Sequence, residues 1–237
     1  MNDLKKLIKE LTRTADKKRA KNLQWFFKTG PGEYGAGDVF LGIKVPKQRQ
    51  IAKKYPSLGL KEVKRLLDSK IHEFRLVGLL ILIDQYQKAS TLKTKEKIVK
   101  FYLKNSQRIN NWDLVDLSVH KILGDWLLTH QSQKDILDRL VVSKNLWERR
   151  MAIIATYAFI RQGSSAETLK IAKKLLNDKE DLIHKAVGWM LREVGRRVSR
   201  ETLLKFLEEY AKRLPRTALR YALEHLPERL RQYYLKK

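Results

Sequence analysis

Apolar residues recur along this chain at three- and four-residue steps, as at Leu4, Leu7, Ile8 and Leu11 and again at Leu169, Ala172, Leu175 and Leu176. That period lines one face of an α-helix, and strand-like alternation is hard to find. Helices are expected at 2–13, 15–28, 46–54, 60–69, 72–87, 91–105, 112–128, 132–142, 146–161, 165–177, 182–196, 199–212, 215–225 and 227–234. Ser199 is a candidate N-cap, and Pro215 and Pro227 suit the first turn of a helix.

Helix breakers are unevenly placed. All five prolines lie at Pro31, Pro46, Pro56, Pro215 and Pro227, so the stretch between Pro56 and Pro215 is free of them. Five of the eleven glycines, Gly30, Gly32, Gly35, Gly37 and Gly42, crowd one segment, which marks 29–42 as the one long loop.

Helices joined by short links invite a search for repeats. The segments around Arg75, Asp113, Arg150 and Lys185 align with one another at separations of 38, 37 and 35 residues. The period falls between the tetratricopeptide and the HEAT or armadillo lengths, without the tetratricopeptide signature. The expected fold is all-α, an α-α superhelix of HEAT-like helix pairs forming one domain over residues 1–237, with the second helices lining a concave surface.

Composition adds a partner. The chain has 237 residues, 51 Lys and Arg against 26 Asp and Glu, a formal net charge of +25, and no Cys. The charge is spread along the chain, which suits a basic groove that neutralises phosphates, although solvated lysines alone give the same count. Zero Cys excludes disulfides, thiolate metal sites and a Cys nucleophile, and fits a cytoplasmic location. The N-terminus does not read as a secretion signal, and the apolar runs Leu76–Ile83 and Met151–Ile160 are far short of the roughly 20 residues of a bilayer span, so no membrane partner is expected.

Gly30-Pro31-Gly32-Glu33-Tyr34-Gly35 has G-x-G-x-x-G spacing but lacks the preceding strand, a ribose-binding acid and the Lys-Ser/Thr end of a P-loop. It reads either as a flexible loop whose bare backbone approaches a phosphate strand or as a plain connector. His72, His120, His130, His184 and His225 show no paired ligand spacing, so no metal and no cofactor is expected; His184 reads as satisfying a cap or a phosphate. In Trp112-Asp113-Leu114-Val115-Asp116, the i, i+4 spacing sets Trp112 and Asp116 on one helix face. A carboxylate among phosphate-binding cations makes sense where a cation must be stabilised, such as the oxocarbenium-like sugar of a breaking glycosidic bond. The alternative is a buried Asp116 paired with Arg150 one repeat later. Trp189 occupies the equivalent turn two repeats on, where it either flanks a cationic sugar or belongs to the core.

Five ordered blocks carry a resemblance over almost the whole chain: Phe26–Gly35, Phe40–Pro46, Asn111–Asp116, Leu146–Arg150 and His184–Glu193. In these the sequence resembles the AlkD-type DNA alkylation repair glycosylases. The resemblance implies a HEAT-like α-solenoid that excises cationic N3- and N7-alkylated purines from double-stranded DNA without flipping the base; a monomer is expected. It implies Asp116 as the catalytic carboxylate, Trp112 and Trp189 as the aromatic pair at the lesion's deoxyribose, and Arg150 and Arg192 at the DNA backbone. Lys185 is expected to join them, and Phe26 falls near an aromatic position that the family fills with Tyr. With no Lys nucleophile motif, the expected enzyme is a monofunctional hydrolase. The competing class is a HEAT-like clamp that binds nucleic acid or protein without chemistry, with Asp116 purely structural.

Overall fold

A computed structural model describes residues 2–237, which divide into two compact units, one up to Leu114 and one over Val115–Lys237. The first unit holds α1 (Asp3–Arg13), α2 (Lys17–Phe26), α3 (Val45–Ala52), α4 (Leu60–Leu67), α5 (His72–Lys88), α6 (Leu92–Lys104) and the first turn of α7 (Trp112–Val119). The second holds the rest of α7, then α8 (Asp125–Thr129), α9 (Asp135–Val141), α10 (Leu146–Ala155), α11 (Tyr157–Arg161), α12 (Ala166–Lys174), α13 (Asp181–Arg197), α14 (Arg200–Tyr210), α15 (Arg216–Leu223) and α16 (Glu228–Lys236). Among the described residues no strand forms; Val39 and Ile71 make one isolated parallel bridge.

The apolar stripes are what the helices bury. Leu4, Leu7 and Leu11 face inward from α1, and α5 is enclosed almost all round, from His72 through the run Leu76–Ile83. Side-chain caps start the elements where the sequence placed polar residues: Ser199 accepts from the Thr202 N–H at 3.2 Å, and Asn145 from the Trp147 N–H at 2.9 Å. Pro215 and Pro227 stand one residue earlier than expected, at the N-cap positions of α15 and α16.

The helices pack as pairs, α4 with α5, α9 with α10 and α12 with α13, and α13 also lies against α10, α14 and α15. Gly188 permits the close approach of α13 to α15. A Cβ there would stand 2.4 Å from the Ala218 carbonyl oxygen and 2.5 Å from the Tyr221 Cβ. A repeated polar device also appears in both units: Arg75 on α5 pairs with Asp38, and Arg150 on α10 pairs with Asp116, each guanidinium almost wholly buried.

The chain departs from the sequence reading at three places. The expected helix 112–128 is one run to Thr129 but widens into a π-helical turn at His120–Gly124. The expected helix 146–161 breaks at Thr156, whose hydroxyl donates to the Ile153 carbonyl at 2.7 Å and accepts from Thr168 at 2.9 Å. The Gly-rich segment is not a free backbone at its end nearest α3. The buried Glu73 carboxylate accepts from the N–H groups of Leu41, Gly42 and Ile43 at 2.9, 2.7 and 3.2 Å. Gly42 has φ +82°, and a Cβ there would lie 2.2 Å from the Asp16 carbonyl oxygen. Those amides have their acceptor within the chain, so they do not serve a phosphate.

Candidate functional site

In the first unit, the side chains flanking the Gly-rich segment set the position of Trp112. The Trp112 indole lies face to face with Phe27 (centroids 5.3 Å apart, planes at 16°) and meets the edge of Phe26 at 6.1 Å. Phe27 stacks in turn on Phe40, and Phe40 on the imidazole of His72. Phe26 is 55% exposed and Trp25 83% exposed, so the outer end of this aromatic row meets solvent. Asn111 accepts from the Trp112 N–H at 2.8 Å, which fixes the start of α7.

Beneath the row lies a buried polar network. His72 is 2% exposed, with Nε2 2.8 Å from Asp113 and Nδ1 3.4 Å from Asp38. Asp38 also accepts from Arg75 at 2.5 Å and from Asn111 at 3.3 Å. Burial alone would push His72 down, but the Asp113 and Asp38 carboxylates outweigh burial and the nearby Arg75 charge and raise it to about 8. His72 is therefore an imidazolium at neutral pH, donating to two carboxylates.

In the second unit, Asp116 and Arg150 form a bidentate pair. Arg150 Nε donates to Asp116 Oδ1 at 2.8 Å and Nη2 to Oδ2 at 2.7 Å, while Nη1 donates to the Leu182 carbonyl. The guanidinium is buried, but the Asp116 carboxylate retains some exposure. The fork fixes the plane of the Asp116 carboxylate, whose exposed edge is its only side open to solvent. Arg150, expected at the DNA backbone, is thus enclosed in the pairing that the sequence left as the alternative.

One turn beyond Asp116, at the π-turn, His120 donates to the Asp116 backbone carbonyl. Its ring meets the edge of Tyr157 at 5.4 Å, Tyr157 lies 6.2 Å from Trp189, and the Arg197 guanidinium sits 5.6 Å over Tyr157. Burial, reinforced by the charges of Lys121 and Arg161, lowers His120 to about 4 and keeps it neutral. Asp116, His120, Tyr157 and Trp189 are all half-buried, a partly open strip of one carboxylate and three rings. The i+4 spacing from Asp116 could have flagged His120. Tyr157 carried no local signal, because it joins the strip only through packing.

The remaining expected residues lie on α13. Trp189 is half-buried; Arg192 pairs with Glu224 and lies 3.3 Å from Glu193. Lys185 pairs with Asp181 at 2.7 Å, and His184 donates to the Asp178 carbonyl in the link between α12 and α13 at 2.6 Å. Among the described residues no group of three His, Cys, Asp or Glu could hold a metal ion, and no helix is long and apolar enough to cross a membrane.

Solved structures share this fold at low sequence identity. A predicted DNA alkylation repair enzyme from Enterococcus faecalis superposes with a TM-score of 0.70 at 18% identity, covering 91% of this chain and 98% of its own. AlkD2 from Streptococcus mutans gives 0.56 at 16% identity, covering 88% and 98%. The smu.31 protein of Streptococcus mutans UA159 gives 0.56 at 17%, covering 77% and 93%. No curated protein matches the chain. The model of the DNA alkylation repair enzyme family matches residues 7–226, all but the two ends, and the chain belongs to that family.

Proposed function

We propose that this protein is a monofunctional DNA glycosylase that hydrolyses the N-glycosidic bond of cationic N3- and N7-alkylated purines in duplex DNA. The observation that carries the reading is Asp116: a partly open carboxylate, fixed by a buried arginine, in a DNA alkylation repair family member of net charge +25. An isolated carboxylate repels a phosphate strand; one held in a fixed orientation and partly exposed suits a transient cation.

The chemistry needs no general acid. A purine alkylated at N7 or N3 is already positive, so when the bond to C1′ breaks, the electron pair neutralises the departing base and the positive charge appears on the sugar. Asp116 stabilises that charge and accepts a hydrogen bond from the water whose oxygen bonds to C1′; the water's proton leaves to the carboxylate or to solvent. Trp189, in the same unit as Asp116, offers an electron-rich face to the cationic sugar, a contact that strengthens as the bond breaks; the family resemblance gives Trp112, one helical turn before Asp116, the same role. Contact through sugar and backbone leaves the lesion in the duplex. Arg150 acts here as the residue that positions Asp116, and Arg192 and Lys185 as cations for the DNA backbone.

The same ion pair also favours a second reading. A bidentate Asp116–Arg150 clasp is a sufficient structural reason for Asp116, and the chain would then be a non-catalytic clamp for nucleic acid. Release of free 7-methylguanine from methylated duplex DNA, followed by chromatography under single-turnover conditions, decides between them. Release lost in Asp116→Asn establishes the enzyme; binding with no release by the wild type establishes the clamp.

A further inference from the structure

Beyond Trp189, α13 carries an arrangement of which the proposed function uses only Arg192. Trp189, Arg192 and Arg196 follow one another at three- and four-residue steps on one helix face, with Glu193 and Arg197 beside them. Glu193 is 2% exposed, yet it is surrounded by cations: it lies 3.3 Å from Arg192 Nη2, 2.8 Å from Arg196 Nη2 and 2.7 Å from Arg197 Nε. Burial would raise its carboxyl, but hydrogen bonds from Arg197, Arg196 and Arg192 outweigh it and hold Glu193 below its ordinary value.

Next to this fan is a hollow of about 180 Å³. Arg192, Arg196, Arg200 and His225 frame it, over a floor that includes Gly195 and Leu203. Arg196, Arg200 and His225 are exposed at its mouth, whereas the buried Arg192 Nε has no acceptor. Arg192, Arg196, Arg197 and Arg200 face only Glu193 and Glu224, so the cluster keeps a positive excess of two. A small hollow lined by three arginines, one of them with a buried Nε that lacks an acceptor, suits the oxygens of a phosphate group.

We infer that this hollow is a seat for an internal phosphodiester of the DNA strand, with Glu193 as the positioning residue that holds its arginines in place. The assignment rests on the DNA-binding part of the proposed function and deepens it. A backbone phosphate is a contact that undamaged DNA makes as well as damaged DNA.

Binding of a labelled, undamaged duplex by fluorescence anisotropy over a salt series tests this without requiring excision. The double variant Arg196→Gln/Arg200→Gln, altered only at exposed positions, should bind more weakly and flatten the log–log salt slope by about one unit for the lost phosphate. Glu193→Gln raises the net charge by one, so charge alone makes it bind more tightly; loss of the fan makes it bind more weakly. Weaker binding is the expected result, with circular dichroism verifying the fold; if Glu193→Gln does not fold, the double variant decides the seat. An unchanged slope in the double variant overturns the seat, and tighter binding by folded Glu193→Gln overturns the positioning role. A 5′-phosphorylated duplex should bind no better than its unphosphorylated form, and inorganic phosphate should not displace the duplex at comparable concentration. Gain from the 5′-phosphate would assign the hollow to a strand end, and displacement by phosphate to a free anion, each in place of an internal phosphodiester. Failure of the wild type to bind duplex at low salt sinks the DNA reading as a whole, whereas normal wild-type binding with unaffected variants sinks only the seat.

Discussion

Both carboxylate oxygens of Asp116 are clasped by Arg150, at 2.8 and 2.7 Å, and the guanidinium doing so is itself buried. The pair couples chemistry to stability. Replacing Asp116 by Asn keeps the shape, removes the charge that would face the sugar and leaves the buried guanidinium without its counter-ion. Asp116→Asn should lower single-turnover release of 7-methylguanine by a factor on the order of 10²–10³. It should hold undamaged DNA as tightly as the wild type or slightly more so, and unfold at a lower temperature.

Arg150→Ala should cost about 3 kcal/mol in urea unfolding, because it strands a carboxylate in a partly buried position. Arg150→Lys should recover part of that stability, since an ammonium supplies the charge without the fork. A phosphate-contacting Arg150 would instead show unchanged stability and a flatter salt slope in DNA binding.

With one carboxylate and no evident general acid, selectivity should follow the charge on the leaving group. Oligonucleotides carrying 7-methylguanine or 3-methyladenine should lose the base, and those carrying uracil or 1,N6-ethenoadenine should not. Trp189→Ala should reduce the single-turnover rate more than affinity, because its face meets a charge that develops only as the bond breaks. Robust uracil release would point to recognition of the base in a pocket and end the charge-based account.

Two histidines should shape the pH dependence of stability in opposite directions. His72, raised from 6.5 to about 8, contributes stability that is full below about pH 6.5 and lost as pH rises through about 8, worth about 2 kcal/mol. His120, lowered to about 4, contributes stability that is present above about pH 6.5 and lost as pH falls toward 4. Urea unfolding across this range should peak near pH 6.5. His72→Gln should flatten the alkaline limb and His120→Leu the acid limb.

Gly188→Ala tests the packing of α13 on α15. The added Cβ would collide with the Ala218 carbonyl and with the Tyr221 Cβ, backbone and near-backbone atoms that yield little. A loss of about 2 kcal/mol is expected, and it should carry Trp189 and the adjoining arginines with it, so that DNA binding weakens as well.

The sequence by itself determined the helices, since a 3.6-residue period, capping residues and a proline-free interior are local facts that fix local conformation. It also determined the pairing of helices into repeats and the family, because ordered motif blocks survive in the chain whatever surrounds them. Placing Trp112 and Asp116 on one helix face needed only their spacing. What the sequence left even was decided by packing across repeats. Arg150 was equally suited to a phosphate or to Asp116 until the approach of α10 to α7 buried it against the carboxylate. The N–H groups of Leu41, Gly42 and Ile43 looked free until Glu73, thirty residues later, was seen to accept from them. His120, Tyr157 and Trp189 come from three separate helices, and the Glu193 fan gains its meaning from the hollow beside it. Contacts of this kind depend on side-chain direction and burial between distant segments, which no local pattern encodes.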